Sequence, residues 1–163
     1  MVVDREVVGC GAVALAVELL QQREPELGER FRMDKTGRSA QTGGSVQWCI
    51  AYQLGLVTNP ADTTETVSPR VAAQLTIQHR KSEEMLFALR EYRREVEDVV
   101  GHALSWLPGG ESGGKLRSIV RSWRALEEGP DAPEGLGPWM AGELLRLREA
   151  MRPALNATGL DAP

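Results

Sequence analysis

The stretch SPRVAAQLTIQHRKSEEMLFALREYRREVEDVVGHALSWL, residues 68–107, decides how the fold is read. Ser68 stands where a helix N-cap would, and Pro69 follows at the first helical position, where a missing N–H does no harm. Val71, Leu75, Leu86, Leu89, Tyr92, Val96, Val99, Ala103 and Leu107 then supply an apolar stripe that predicts one long helix. At 1.5 Å per residue it would reach roughly 58 Å. That is longer than a compact domain of this size, so a break or a projection is expected. The stripe lapses at Gln78, His79 and Ser82.

The flanking segments carry the same period. Val13, Ala16, Val17 and Leu20 predict a helix from about Gly9 to Glu24, ended by Pro25. Ser45 caps a second, to about Leu56, with Val46, Ile50, Leu54 and Val57 as its stripe. Beyond the long helix, Gly114 to Glu127 places Leu116, Ile119, Val120 and Trp123 on one face. The last helix opens at Gly137-Pro138 and carries Met140, Leu144, Leu147 and Met151 before Pro153 interrupts it. Only Glu29 to Met33 and Met1 to Val8 read as extended. The expectation is therefore all-α: one domain over residues 1–163, a bundle of about five helices around a long central one. Glycine and proline clusters place loops near 37–44, 57–68, 108–114 and 129–137, and a frayed tail at 156–163.

Composition bounds the function. A chain of 163 residues and 17.8 kDa is one domain's worth. Its 19 basic and 23 acidic residues give a net charge of −4, which argues against a surface that binds nucleic acid all over. A local basic face stays possible on those numbers. Cys10 and Cys49 have no CxxC spacing, too few for a disulfide scaffold or an all-cysteine zinc site, though one disulfide stays open. Asp4, Arg5 and Glu6 precede the apolar run from Val7 to Leu20, where a secretory signal would need a basic segment. No stretch approaches the ~18 apolar residues that span a bilayer. A cytoplasmic protein without membrane contact is expected.

Several segments approach catalytic motifs. Gly9-Cys10-Gly11-Ala12-Val13-Ala14 fits G-x-G-x-x-A, and Asp34 follows Gly9 by 25 residues. With Arg38-Ser39-Ala40-Gln41-Thr42-Gly43, this region loosely resembles the opening of FAD-dependent 2-hydroxy-acid oxidoreductases. The resemblance implies FAD or NAD held by Gly9, Gly11, Ala14 and Asp34, and an oxidoreductase or a fragment of one. The chain departs from that pattern in its second strand, Arg30-Phe31-Arg32-Met33, and in lacking later strands for a parallel sheet. Asp34-Lys35-Thr36-Gly37 matches the phosphorylated tetrapeptide of P-type ATPases, but turn chemistry accounts for the same residues. Residues 109–115, GGESGGK, satisfy the phosphate-loop spacing, yet Leu116 stands where a magnesium-binding hydroxyl is needed. His79 and His102 each have an acidic residue four positions away, Glu83 and Asp98, a metal-ligand spacing on a helix. On one continuous helix they would lie roughly 35 Å apart and could not share an ion. No metal, no resident cofactor and no catalytic residue is expected.

One feature is positive in an acidic chain. Lys115-Leu116-Arg117-Ser118-Ile119-Val120-Arg121-Ser122-Trp123-Arg124 holds four basic residues and no acidic one. On a helix, Arg117, Arg121 and Arg124 would form a row opposite Leu116, Ile119, Val120 and Trp123, with Lys115 beside the positive end of the dipole. Lys115, Arg117, Arg121 and Arg124 are the expected anion- or partner-binding residues. The leading expectation is a non-catalytic assembly subunit that docks on a protein or nucleoprotein partner, self-associates, or touches a nucleic-acid backbone within a complex. The alternative is the dinucleotide-binding oxidoreductase.

Overall fold

The computed structural model describes residues 4–58, 65–109, 116–126 and 133–163. The chain runs α1 (Arg5–Arg23), α2 (Pro25–Gly28), β1 (Arg32–Met33), β2 (Ser39–Gln41), β3 (Val46–Thr58) and β4 (Glu65–Gln78). It continues with α3 (Ser82–Arg90), α4 (Arg93–Val100), β5 (Ser105–Leu107), β6 (Arg117–Ala125) and α5 (Pro133–Thr158). The strands form one antiparallel sheet in the order β1-β2-β3-β4-β6-β5. This is an α/β fold, and the all-α bundle expected from periodicity is wrong. The supposed helix at 45–56 is β3, that at 114–127 holds β6, and the stretch 68–107 holds β4, α3, α4 and β5. Its apolar lapse at Gln78 to Ser82 is the junction between β4 and α3.

The error has a physical source. Residues i and i+4 share a face of a helix, and they also share a face of a strand, because four is even. Val46, Ile50 and Leu54 fit both periods, as do Val71 and Leu75. The residues between them separate the two. Val46, Trp48, Ile50 and Tyr52 point into the helix-bearing side of the sheet, as do Val71, Ala73, Leu75 and Ile77 opposite them. Gln47, Cys49, Ala51 and Gln53 point the other way, with Arg70, Ala72, Gln74, Thr76 and Gln78. Alternation of this kind, rich in β-branched and aromatic residues on one face, specifies a strand with one buried side.

The helices pack on that first face. Ala12, Val13, Ala16 and Leu20 of α1 meet Leu136, Met140, Leu144, Leu147 and Met151 of α5 above Trp48, Ile50, Leu75 and Val120, all of them fully buried. Burying one such leucine contributes roughly 1.5–3 kcal/mol, which outweighs the weak local helix signal of a glycine-containing α1. Asp4 caps α1, its Oδ1 accepting from the Glu6 and Val7 N–H groups at 3.0 and 3.4 Å. Gly9 is required by this contact: a β-carbon there would overlap the Tyr52 ring. In α3, the Ser82 hydroxyl meets that of Ser118 on β6 at 3.0 Å, both buried.

The remaining boundaries also move. Described parts of the expected loops hold β2, the ends of β3 and β4, and the start of α5. α5 runs through Pro138 and Pro153, because Met151, Ala154 and Leu155 beyond the first turns are buried against the core. Gly159, at φ 70°, ends it, with Leu160 N–H returning to the Leu155 carbonyl at 3.0 Å. The tail expected to fray then lies back on the core, where Trp48 Nε1–H donates to the Pro163 carbonyl at 3.3 Å. Among the described residues no helix is long and apolar enough to cross a membrane.

Candidate anion-binding site

The expected binding residues separate in the structure. The row Arg117, Arg121 and Arg124 belongs to strand β6, not to a helix, so no helix dipole acts there. Arg117 and Arg121 pair with Gln78 and Gln74 and share the face away from the helices. Arg124, seven residues after Arg117, pairs with Val71 and points to the opposite face. Lys115 lies outside the described residues. Ile119 and Trp123, expected on the buried side, share the face of Arg117 and Arg121 instead.

That second face is a polar layer. No described helix packs on it, and the register places no carboxylate on it in β3, β4 or β6. Five of the chain's seven glutamines stand there: Gln41, Gln47, Gln53, Gln74 and Gln78. Arg121 Nε donates to Gln74 Oε1 at 2.8 Å, and Gln53 Nε2 donates to the same oxygen at 3.2 Å. Arg70 Nε donates to Gln53 Oε1 at 3.1 Å, and its guanidinium lies over the Trp123 ring, 5.3 Å from the centroid. Gln74, Thr76 and Arg121 are buried in this layer, which makes them its framework, while Trp123 remains 41% exposed. Cys49 sits among them, and burial pushes its thiol up to about 11 despite Arg117 and Arg121, so it stays protonated at neutral pH.

A cleft opens at one end of this layer, where β4 leaves the sheet and β6 enters it. The His79 N–H donates to the Leu116 carbonyl at 2.9 Å and holds the two basic segments side by side. The cleft has a volume of about 330 Å³ and is lined by Gln78, His79, Arg80, Leu116 and Arg117. Each polar side chain in it offers donors. Gln78 Oε1 accepts from Gln47 Nε2 at 3.3 Å, and the Gln78 NH₂ supplies two more donors. His79 Nδ1 accepts the Lys81 N–H at 3.0 Å, so the ring proton sits on Nε2. The two guanidiniums have no acceptor at all. Leu116, 63% exposed, forms the apolar lip. The sequence offered a hint in the run His79-Arg80-Lys81, read there only as a metal spacing with Glu83. Its proximity to Arg117 follows from strand register alone.

The other near-motifs resolve into local structure. Gly9, Gly11 and Ala14 lie inside α1, where their N–H groups serve the helix and cannot cradle a pyrophosphate. Asp34 anchors the β1–β2 turn, Oδ1 accepting from the Thr36 N–H and hydroxyl and from the Arg38 N–H. Slight burial works against its charge, but hydrogen bonds from Thr36 and Ser39 hold its carboxyl below the usual range. After Gly109 the phosphate-loop residues lie outside the described residues, and the chain then enters a strand, not a helix. Among the described residues no three metal-ligating side chains converge.

A serine, a histidine and a carboxylate do meet beneath the sheet. Glu143 Oε1 accepts from the Ser122 hydroxyl at 2.8 Å and faces His102 Nε2 at 2.6 Å, while His102 Nδ1 faces the Ala103 carbonyl at 2.9 Å. Both ring nitrogens therefore face acceptors, which favours the imidazolium. The Ser122 hydroxyl donates to the carboxylate and stands 3.4 Å from His102 Nε2, so the carboxylate lies between serine and ring in place of the serine–histidine–carboxylate order of a catalytic triad.

Comparison with known families, curated proteins and solved structures gives no match to this chain.

Proposed function

We propose that this chain is a binding subunit, not an enzyme, and that the cleft between the β4 exit and the β6 entry takes an anionic group of its partner. The observation that carries this is the donor-rich lining, in which two guanidiniums stand beside an imidazole N–H. A site built from two guanidiniums, an imidazole N–H and an amide NH₂ satisfies a group that only accepts, a phosphate or a carboxylate. A ligand rich in donors would leave most of them opposed. Arg117 keeps the role given to it by sequence, and Arg80, His79 and Gln78 replace Arg121 and Arg124 beside it. The dinucleotide reading loses its support, because its glycines are helical and the sheet is antiparallel. The net charge of −4 weakens long-range steering, so docking relies on short-range contacts.

Retention on immobilised heparin tests this reading. Arg117→Glu and Arg80→Glu should each elute at lower salt than the parent protein. Arg94→Glu, on the exposed side of α4, carries the same change in net charge and serves as the control, which should elute at higher salt than either cleft variant. Equal elution of all three variants would overturn the cleft as the anion site.

A further inference from the structure

Resting on that anion cleft, we propose that the partner is a single-stranded nucleic acid, with a phosphate in the cleft and a base stacked on Trp123. Three observations go beyond the cleft itself. Arg117, Ile119, Arg121 and Trp123 succeed one another on the same face of β6, so the cleft and the indole terminate one straight row. Six residue-to-residue steps separate its ends by roughly 20 Å, a span of several nucleotides. Among the described residues the indole is the exposed aromatic of that face, and Arg70 stacked over it holds the ring in place.

An acidic peptide would satisfy the cleft but gives no reason for an exposed, cation-supported tryptophan. A nucleic acid needs both, because successive bases stack on aromatic rings while the backbone follows basic side chains. Between the two ends Ile119, Arg121, Gln47 and Gln74 are buried, so the nucleic-acid strand passes over them without direct contact, and Gln41 is exposed at the margin. Gln53, Gln74, Arg70 and Arg121 are the hydrogen-bonded framework beneath this track, and the ligand contacts fall on Arg117, Arg80, His79 and Trp123. A sheet face with a stacking aromatic and flanking cations reads unpaired bases and not a duplex, whose bases are already stacked.

The test measures binding of three probes by anisotropy: an oligothymidine, an abasic oligomer of the same phosphodiester length, and polyglutamate. The oligothymidine should bind at least about tenfold more tightly than the abasic oligomer, the factor that one stacked base supplies. Trp123→Ala should remove that difference, and Trp123→Phe, which keeps a ring, should restore most of it. Arg117→Glu should weaken both oligomers and lower the slope of log affinity against log salt by roughly 0.7 for each lost phosphate contact. If base-bearing and abasic oligomers bind alike, or if polyglutamate is preferred while Arg117→Glu still weakens it, the nucleic-acid inference is wrong and the anion cleft stands. If Arg117→Glu changes binding of no probe, both fall.

Discussion

His102 Nε2 and Glu143 Oε1 stand 2.6 Å apart, joining the turn after α4 to the middle of α5. The Ala103 carbonyl, and then the carboxylate, raise the His102 pKa above its usual 6.5 against the opposing effect of partial burial. A histidine raised on folding stabilises the folded state fully below the unfolded value and loses that contribution as pH rises through the folded one. Stability should therefore decline as pH climbs above 6.5, and the decline should vanish in His102→Gln. The ring is 43% exposed, so solvent screens the pair and keeps the effect small. Urea midpoints at a series of pH values read it directly; a parent profile as flat as the variant's would contradict it.

Gly9→Ala should destabilise the protein by about 1–3 kcal/mol, the usual range for forcing extra volume into a packed site. The added carbon would overlap the Tyr52 ring. In a Tyr52→Ala background the same change should lose most of its cost, which a double-mutant cycle in denaturant measures.

That contact shows how much of the fold was legible. The apolar residues of α1 and α5 announced themselves, since Val13, Ala16, Val17, Leu20, Leu144 and Leu147 fit a helical period and no other. Strands β3 and β4 were hidden by the coincidence of i and i+4, and their glutamines at alternate positions were the overlooked signal. The same parity explains the site. Arg117 and Arg121 differ by an even number and stay together on a strand, whereas Arg124 differs by an odd one and crosses to the other face. Arg80 and Arg117 stand 37 positions apart in sequence, and only the pairing of Gln78 with Arg117 brings them to one cleft.

Gln74→Leu should cost about 1–3 kcal/mol, because Arg121 Nε and Gln53 Nε2 both lose their acceptor in a buried layer. Thermal unfolding followed by circular dichroism checks this. A neutral result would mean that the polar layer reorganises freely and does not hold the face in shape.

Cys10 should react with iodoacetamide before Cys49. Both thiols are free and both are raised by burial, but Cys49 is only 4% exposed and is pushed up to about 11. Intact-mass and peptide mapping of the native protein should find Cys49 unmodified until denaturant is added.

The cleft itself is tested most directly by proton NMR of the two imidazoles during titration with inorganic phosphate, at fixed pH and ionic strength. His79 lines the cleft and His102 does not, so the two rings are probe and internal control in one spectrum. The His79 resonances should shift along a saturating curve, those of His102 should stay still, and Arg117→Glu should abolish the shift. A His79 signal that does not move, or that moves only in parallel with His102, would contradict an anion site between β4 and β6.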